Sequence, residues 1–506
     1  MTRGLRKTLW YAGVAFLGLT LCAGMGTTAK AADSNPLQFW TGPNGSYIKA
    51  QISGTYAVFD NSNSWFGQST TLFGLHEKFY EEGQVKPQVV FNYGCLPNGQ
   101  SIYGSVGMAI TSTFGGVDGG GTNVTYVGGI PVSNNYTDTM LQESYIGWKS
   151  GDLFDSYGLQ KNFLDLSFGR QQYNVSNGFL IWNEGRGGHE EAGYWMGGRN
   201  DADYAAIARF RQGPLSLDLV YLRPNEFVVD GTDFVPLYGG LISTNQLASH
   251  LDANLTGFTL DYDLPGKIAH LGGGIYASDV KSPEGGTHGV ASLNAYDIRG
   301  WAKPFSCTNI CLLQPFRLEG EFVHEQKYHA GDPDANAYYL QASYPIQNVC
   351  WSPELVYRYS FYGNHYDTMY QGFTDWEYWF AGEIMDEYPN VNQNESMHMI
   401  ELKFSPIKPL NCKVAYIHYN VENPESYGMS HAALADEIDL ITDWTVNDHL
   451  AFSVVGAMAN PLGGMLDYLN TIDAQTPAIG GGIQQIAPGT DLHTWYYVMF
   501  LTSVSF

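Results

Sequence analysis

Hydrophobic and polar residues alternate with a period of two along much of this chain. The clearest example is residues 494–506, with the sequence TWYYVMFLTSVSF. Successive side chains of a β-strand point to opposite faces, so one face of this segment carries a largely apolar row. That row consists of Tyr496, Val498, Phe500, Thr502, Val504 and Phe506. Such an ending is typical of the closing strand of a bacterial outer-membrane barrel, and an ordinary buried strand that ends on phenylalanine is the alternative.

Similar runs bounded by turn residues predict about eighteen strands. They lie near residues 45–59, 86–97, 101–114, 140–150, 163–173, 203–211, 215–223, 249–262, 268–280, 290–305, 312–326, 336–346, 351–362, 397–405, 412–422, 434–445, 449–460 and 494–506. Most are long enough for a tilted strand to cross a bilayer, which takes about 9–11 residues. The predicted fold is therefore all-β, an antiparallel transmembrane barrel of about 18 strands that forms one domain over residues 32–506.

The connections between these strands alternate in length, which supports a membrane barrel over a soluble sandwich. Short ones lie at 97–100, 212–214, 264–267 and 406–411. The long ones lie at 60–85, 115–139, 174–202, 225–248, 363–396 and 461–493, and those at 281–289, 327–335 and 423–433 are of moderate length. Outer-membrane barrels combine short periplasmic turns with long extracellular loops, so both chain termini are predicted on the periplasmic side.

Several predicted strands place charged residues on the face opposite the apolar one. In residues 163–173, for example, Asp165 and Gln171 lie opposite Leu164 and Leu166. An arginine or lysine aimed at the middle of a bilayer costs about 2–4 kcal/mol, so the charged face should line a water-filled lumen. The predicted pore-lining residues are Asp165, Gln171, Arg209, Arg317, Glu319, Glu321, Arg358, Glu401, Lys403, Glu437 and Asp439.

The long connection at 364–395 combines aromatic and acidic residues. Its aromatic side chains could stack on sugar faces or fold inward as a constriction. The candidate residues for a constriction or a ligand loop are Tyr370, Trp376, Trp379, Asp375 and Glu377. The alternative is an outer loop that packs on its own aromatic residues and on lipid headgroups.

The N-terminus predicts how the chain reaches a membrane. Arg3, Arg6 and Lys7 precede an apolar run at 9–23, and small residues follow near position 31. This pattern predicts a cleaved secretory signal peptide over residues 1–31. No other apolar run approaches the length of about 18 residues that a transmembrane helix needs. The predicted location is the Gram-negative outer membrane.

The charge balance narrows the possible partners. Fifty acidic residues face twenty-five basic ones, which gives a net charge of −25 at pH 7. Such an acidic chain disfavours nucleic-acid partners. The acidic residues predict either a cation-attracting pore mouth or solvated loops. The predicted partners are the lipid bilayer and lipopolysaccharide, a small hydrophilic solute, and the barrel assembly machinery, which would act on the C-terminal strand ending at Phe506.

Four segments resemble the alginate-export family of porins. They are FGRQQ at 168–172 followed by NGFLI at 177–181, LVYRYSFYG at 355–363 leading to FTD at 373–375, EIDL at 437–440, and the final strand. The resemblance implies an eighteen-stranded outer-membrane barrel that passes a specific solute, often with loops that narrow the lumen. Two features depart from that family. Alginate is a polyanion whereas this chain is acidic. Arg170 also lies on the lipid-side phase of its strand, so it can enter the lumen only if Gly169 forms a bulge or if Arg170 sits at the rim of the barrel.

The remaining chemistry-bearing residues predict no cofactor, no metal site and no catalytic centre. Five cysteines fall at or beside the short connections, and the oxidising periplasm makes disulfides or free thiols the two interpretations. They are Cys95, Cys307, Cys311, Cys350 and Cys412, and their connectivity cannot be read from spacing.

The predicted function is a porin, a passive diffusion channel for small hydrophilic solutes that is cation-preferring or substrate-selective, rather than an enzyme. A polysaccharide export porin, such as one for alginate, is one alternative. An outer-membrane enzyme or adhesin that acts through loop residues such as His189, Glu190, His365 and Asp367 is another, and a soluble all-β enzyme is a third.

Overall fold

The computed structural model describes most of the chain after the N-terminal segment. The described residues are 37–68, 79–115, 126–127, 130–131, 135–182, 195–196, 202–224, 227–229, 248–250, 252–281, 292–328, 333–367, 369, 379–389, 392–475 and 486–506. The predicted signal peptide at 1–31 lies outside these ranges. Residues 39–506 form one compact unit, and the barrel lies within it.

Eighteen strands build the barrel, and each corresponds to one predicted strand. They are β1 (Tyr47–Ser62), β2 (Phe79–Tyr93), β3 (Ser101–Gly115), β4 (Asn135–Lys149), β5 (Leu164–Arg170), β6 (Ala202–Gln212), β7 (Leu215–Pro224), β8 (Asp252–Asp263), β9 (Ala269–Lys281), β10 (Leu293–Ala302), β11 (Arg317–Lys327), β12 (Ala335–Pro345), β13 (Glu354–Tyr362), β14 (Glu395–Ile407), β15 (Leu410–Val421), β16 (Ala433–Asn447), β17 (Leu450–Pro461) and β18 (Trp495–Ser505). The predicted fold class is confirmed.

The last strand closes the barrel. Every strand pairs antiparallel with its neighbour in the chain, and β18 pairs both with β17 and with β1. Ile52 and Phe506 exchange two backbone hydrogen bonds with N···O distances of 3.1 and 2.9 Å. A closed sheet satisfies its backbone groups internally, which is what allows strands to cross hydrocarbon.

The two faces of β18 differ as the alternation predicts. Val498 and Phe500 are 51% and 43% exposed, whereas Tyr497 and Met499, which alternate with them, are buried. Phe506 is exposed at the end of this strand and stacks on His449 with ring centroids 5.1 Å apart. The outer face therefore presents an apolar surface to its surroundings, as the sequence indicates.

The two ends of the barrel carry different connections. At the end that holds Phe506 they span 94–100, 150–163, 213–214, 264–268, 303–316, 346–353, 408–409 and 448–449. At the other end they span 63–78, 116–134, 171–201, 225–251, 282–292, 328–334, 363–394, 422–432 and 462–494. The difference follows the predicted alternation, although 150–163 and 303–316 are longer than the turns expected there and 328–334 is shorter than the loops opposite.

The smaller elements lie outside the barrel strands. Among the described residues, the short strands are Gln38–Thr41, Tyr126–Val127, Ile130–Pro131, Phe227–Val229 and Ala248–His250, and the 3-10 turns are Ser64–Gly67, Pro97–Gly99, Asp155–Tyr157, Pro265–Lys267 and Pro424–Tyr427. The helix α1 (Met465–Gln475) occupies a connection that the sequence predicted as a loop. Met465, Tyr468 and Leu469 are buried at the helical spacing of three and four residues, a period that a search for alternation misses. No helix in the described part of the chain is long and apolar enough to cross a membrane.

All five cysteines of the described residues are free thiols. Cys307, Cys311 and Cys350 are exposed in the connections 303–316 and 346–353, while Cys95 and Cys412 are half-buried. The structure therefore contains the free-thiol form of the two interpretations. The predicted placement at or beside the shorter connections is confirmed.

Candidate functional site

The inner face of the barrel is identified by contacts that reach across it rather than along neighbouring strands. Arg358 on β13 donates a hydrogen bond to the backbone carbonyl of Phe380. Glu82 on β2 accepts one from the backbone N–H of Met196, at 2.7 Å. Both partners belong to long connections, so these connections fold into the space that the strands enclose.

One inward segment is 379–389, within the aromatic and acidic connection. Trp379 is buried, and its indole N–H donates to the Tyr362 hydroxyl at 2.9 Å. The Trp379 ring also lies 4.8 Å from the ring of Tyr339. Trp379 therefore packs against the strands β12 and β13, while its role in a constriction or a ligand loop stays a prediction. The other candidates of this loop, Tyr370, Asp375, Trp376 and Glu377, lie outside the described residues.

A second inward segment, residues 171–182, was not predicted from the sequence. Phe179 is buried against Trp379 at a centroid distance of 4.7 Å. Asn177 donates to the Tyr339 hydroxyl at 2.8 Å. The two inward segments thus meet over the same tyrosine of β12. The apolar run at 179–181 inside a long, otherwise polar connection is the sequence signal that could have found it.

Beneath these segments, several predicted pore-lining residues are covered by protein. The Arg358 guanidinium lies 4.0 Å above the Trp379 ring, and the Lys413 ammonium lies 4.4 Å above the Phe380 ring. Such cation–π contacts strengthen when they are desolvated. The covered residues of the predicted set are Gln171, Glu321, Arg358, Glu401, Glu437 and Asp439.

The other predicted residues keep part of their surface accessible. Arg317 and Glu319 form an ion pair at 2.7 Å, with side chains 37% and 15% exposed. Lys403 pairs with the buried Glu401 at 2.9 Å and is itself about half exposed. Asp165 and Arg209 are half-buried. The predicted set therefore separates into a covered group and an accessible group.

Asp165 and Arg209 of the accessible group belong to a row of charges that was only partly predicted from the sequence. Cross-strand register places Lys149, Asp165, Arg209 and Asp218 side by side on β4, β5, β6 and β7. All four are half-buried, and their signs alternate. Arg209 also donates to the Ser167 hydroxyl at 2.9 Å. Asp218 could have been found in the sequence, because Leu217 and Leu219 flank it on the opposite face.

A second ionic cluster continues the inner wall on β8, β9 and β10. The Arg299 guanidinium binds Asp261 at 2.6 Å and also pairs with Asp297. His270 lies 3.2 Å from the same Asp261 carboxylate. Gly272 makes room for this arrangement, since a Cβ there would lie 2.1 Å from the Asp261 oxygen. The sequence analysis missed the cluster because its members lie on three strands, and β8 does not alternate cleanly.

Arg170 is the last residue of β5, and its pairing with β4 runs through Gly169 without a shift of register. Phe168 is exposed, so regular alternation would place Arg170 outside as well, yet Arg170 is buried. Gly169 has a φ of +115°, a conformation that L side chains rarely adopt. This local backbone turn also ends β5 at Arg170, three residues earlier than predicted.

Substitution of Gly169 should destabilise the barrel. In Gly169→Ala the added Cβ would lie 2.2 Å from the carbonyl oxygen of Ser144 on β4, in a φ region that disfavours alanine. Backbone strain of this kind costs about 1–3 kcal/mol. We expect a lower urea midpoint for loss of the compact, heat-modifiable species. Gly456→Ala is the matched control, because its added Cβ meets no described atom within 4 Å, and an equal loss in both variants would contradict the interpretation.

Two acidic residues of the segment 379–389 have pKa values raised to near neutral pH. Burial raises the pKa of Glu383 to about 8, helped by the nearby Glu437 and Asp443 and opposed by Lys413. Burial also raises the pKa of Asp386 to about 7. For a carboxyl with a raised pKa, the buried position is stable when the group is protonated and loses stability as pH rises through that pKa.

Alkaline pH should therefore loosen the segment 379–389. We expect any conductance through the lumen to rise between about pH 6 and about pH 9, as Glu383 and Asp386 lose their protons. Bilayer recordings over this range measure the effect. The variant Glu383→Gln should flatten the pH profile, and a conductance that instead falls with rising pH would contradict the assignment.

The residues of the loop-borne enzyme hypothesis do not assemble a centre in the described structure. His365 is exposed, and the Asp367 backbone N–H donates to Glu325 at 2.9 Å. His189 and Glu190 lie outside the described residues. In the described part of the chain no group of three or more His, Cys, Asp or Glu residues could hold a metal ion.

Comparison with known proteins identifies the fold. No family model and no curated protein matches the chain. Among solved structures, OccK5 (OpdH) of Pseudomonas aeruginosa is similar with a TM-score of 0.52 and 8% identity, over 90% of this chain and 97% of that one. OpdK of the same organism, determined with vanillate, and OccAB2 of Acinetobacter baumannii each give a TM-score of 0.50 and 10% identity, over 91% of this chain and 98% of theirs. Identity this low establishes a shared eighteen-stranded barrel fold and nothing finer.

Proposed function

We propose that this chain is an outer-membrane porin, a passive channel for small hydrophilic solutes. The observation that carries the proposal is a closed barrel whose outer face is apolar and whose inner face holds ionic rows. Similarity to outer-membrane porins in fold supports it. The solute gradient drives diffusion through such a channel. The selectivity of the channel comes from the charges on its wall and the width of its lumen.

The solute path runs along the wall of β4 to β8. The charged row of Lys149, Asp165, Arg209 and Asp218 stays partly accessible there. On the opposite wall, the segment 379–389 covers Arg358 and Glu437. Wall charges that keep contact with water can interact with a passing solute, whereas covered ones bind protein groups. Asp165 and Arg209 are therefore the best candidates of the predicted set for solute contact.

The proposal extends to the surroundings of the chain. Residues 1–31 direct export and are cleaved, the outer row of β18 faces lipid and lipopolysaccharide, and the barrel assembly machinery acts on the strand ending at Phe506. Both termini lie in the periplasm, so the shorter connections face that side. The net charge of −25 favours cations over anions. The resemblance to alginate-export porins stays a prediction. Because the chain is acidic, a small solute fits it better than the polyanion alginate does.

Liposome swelling tests the function. Proteoliposomes should swell in isosmotic solutions of small sugars, amino acids and small carboxylates, with rates that fall as solute size rises. Vanillate belongs in the panel because one protein of similar fold was determined with it. Liposomes with heat-denatured protein are the control. Swelling no faster than this control, for every solute, would rule out the channel.

A further inference from the structure

Three glutamates of the inner wall share an unusual role. Each is fully or almost fully buried, and each accepts hydrogen bonds from the backbone of a connection that folds inward. The pairs are Glu82 with Trp195 and Met196, Glu325 with Asp367, and Glu437 with Ile384 and Met385. They come from strands β2, β11 and β16, so the inward connections are held from well-separated parts of the wall.

The contacts of Glu437 are the most extensive. Its two carboxylate oxygens accept from the backbone N–H groups of Ile384 and Met385 at 2.7 and 2.8 Å, one oxygen for each. The Tyr419 hydroxyl lies 3.3 Å from the same carboxylate and donates to the carbonyl of Ala381 at 2.5 Å. Glu437 therefore holds the backbone at Ile384 and Met385 directly. Through the Tyr419 hydroxyl it also helps to hold the backbone at Ala381.

The backbone of the segment is shaped to fit this carboxylate. Gly382 has a φ of +122°, and a Cβ on it would lie 2.1 Å from the Tyr419 hydroxyl and 3.1 Å from a Glu437 oxygen. Buried N–H groups need acceptors, and a charged acceptor makes the stronger hydrogen bonds. Ile384 and Met385 are buried, so water cannot replace Glu437 without the segment moving.

We propose that Glu437 is a positioning residue that holds the segment 379–389 across the lumen and thereby sets its width. Glu437 does this as a backbone acceptor and does not select ions by its charge. The inference rests on the proposed channel function and assigns to an acidic residue of the wall a role other than attracting cations. Glu82 and Glu325 act in the same way on their own connections.

Measurements of conductance and of ion selectivity distinguish a residue that holds the segment in place from one that selects ions by its charge. In Glu437→Ala we expect the single-channel conductance to rise about twofold, with the reversal potential in a salt gradient unchanged. Glu437→Gln should give a smaller rise, because its carbonyl oxygen can still accept one backbone hydrogen bond. Asp443→Ala is the matched control: it removes the same charge from the same strand, and Asp443 accepts from the Ser453 hydroxyl. A shifted reversal potential with unchanged conductance in the Glu437 variants would overturn the proposal.

A second measurement keeps the inference separate from the channel function. Limited chymotrypsin digestion of the folded protein in detergent should leave residues 379–389 intact in the wild type and in Asp443→Ala. Glu437→Ala should be cut after Trp379 or Phe380, as read by mass spectrometry. If the wild type conducts no ions but this cutting pattern holds, the channel function fails and the positioning role stands. Equal protection in wild type and Glu437→Ala would refute the positioning role whatever the conductance.

Discussion

Replacement of residues 379–389 by a flexible glycine–serine linker of equal length is expected to raise the single-channel conductance several-fold. The segment buries Trp379, Ile384, Met385 and Tyr388 inside the barrel. Tyr388 reaches as far as Trp495 on β18, with ring centroids 5.2 Å apart. The strands pair with one another through their own backbone groups, so the barrel should remain closed without the segment.

Planar-bilayer recording measures this change, and heat-modifiable gel mobility confirms that the variant is folded. The matched control puts the same linker in place of residues 304–314, an equally long stretch of a connection at the opposite end of the barrel. That control should leave the conductance unchanged. If the 379–389 variant folds and conducts like the wild type, the segment does not narrow the lumen.

The variant Phe500→Arg is expected to prevent assembly of the barrel. Phe500 lies on the outer face of the closing strand, paired with Val58 of β1 and Val454 of β17. An arginine turned toward the middle of the bilayer costs about 2–4 kcal/mol, and here it also disturbs the strand that closes the sheet. We expect the heat-modifiable species to disappear from the outer-membrane fraction.

Tyr157→Arg provides the control for the added charge. Tyr157 is highly exposed, but it lies in the connection 150–163 rather than on a strand. This variant should assemble like the wild type. Normal amounts of folded Phe500→Arg in the membrane would mean that this face of β18 does not contact lipid.

Alternation along single strands explains why the fold was predictable. The alternation within one strand shows which of its faces is apolar. The outward placement of Val498 and Phe500 can therefore be predicted without knowing which strands lie beside them. Turn residues then separate the runs. The same local rule predicted Asp165 and Arg209 on the inner face.

Contacts between distant parts of the chain explain what was missed. Phe179 meets Trp379 across two hundred positions of sequence, and no local pattern encodes that meeting. For the same reason the sequence assigned Glu437 to an open lumen, although the wall beside it is covered by an inward connection. The Arg299 cluster depends on the register of three strands, which alternation alone leaves undetermined.

The central claim is that the inner face of this barrel forms a water-filled path. Repeated reconstitution of the purified, heat-modifiable protein into planar bilayers, with single-channel recording, tests it most directly. We expect discrete conductance steps of reproducible size, with cations carrying more of the current in a salt gradient. Folded protein that inserts into the bilayer and gives no steps in any reconstitution would contradict it.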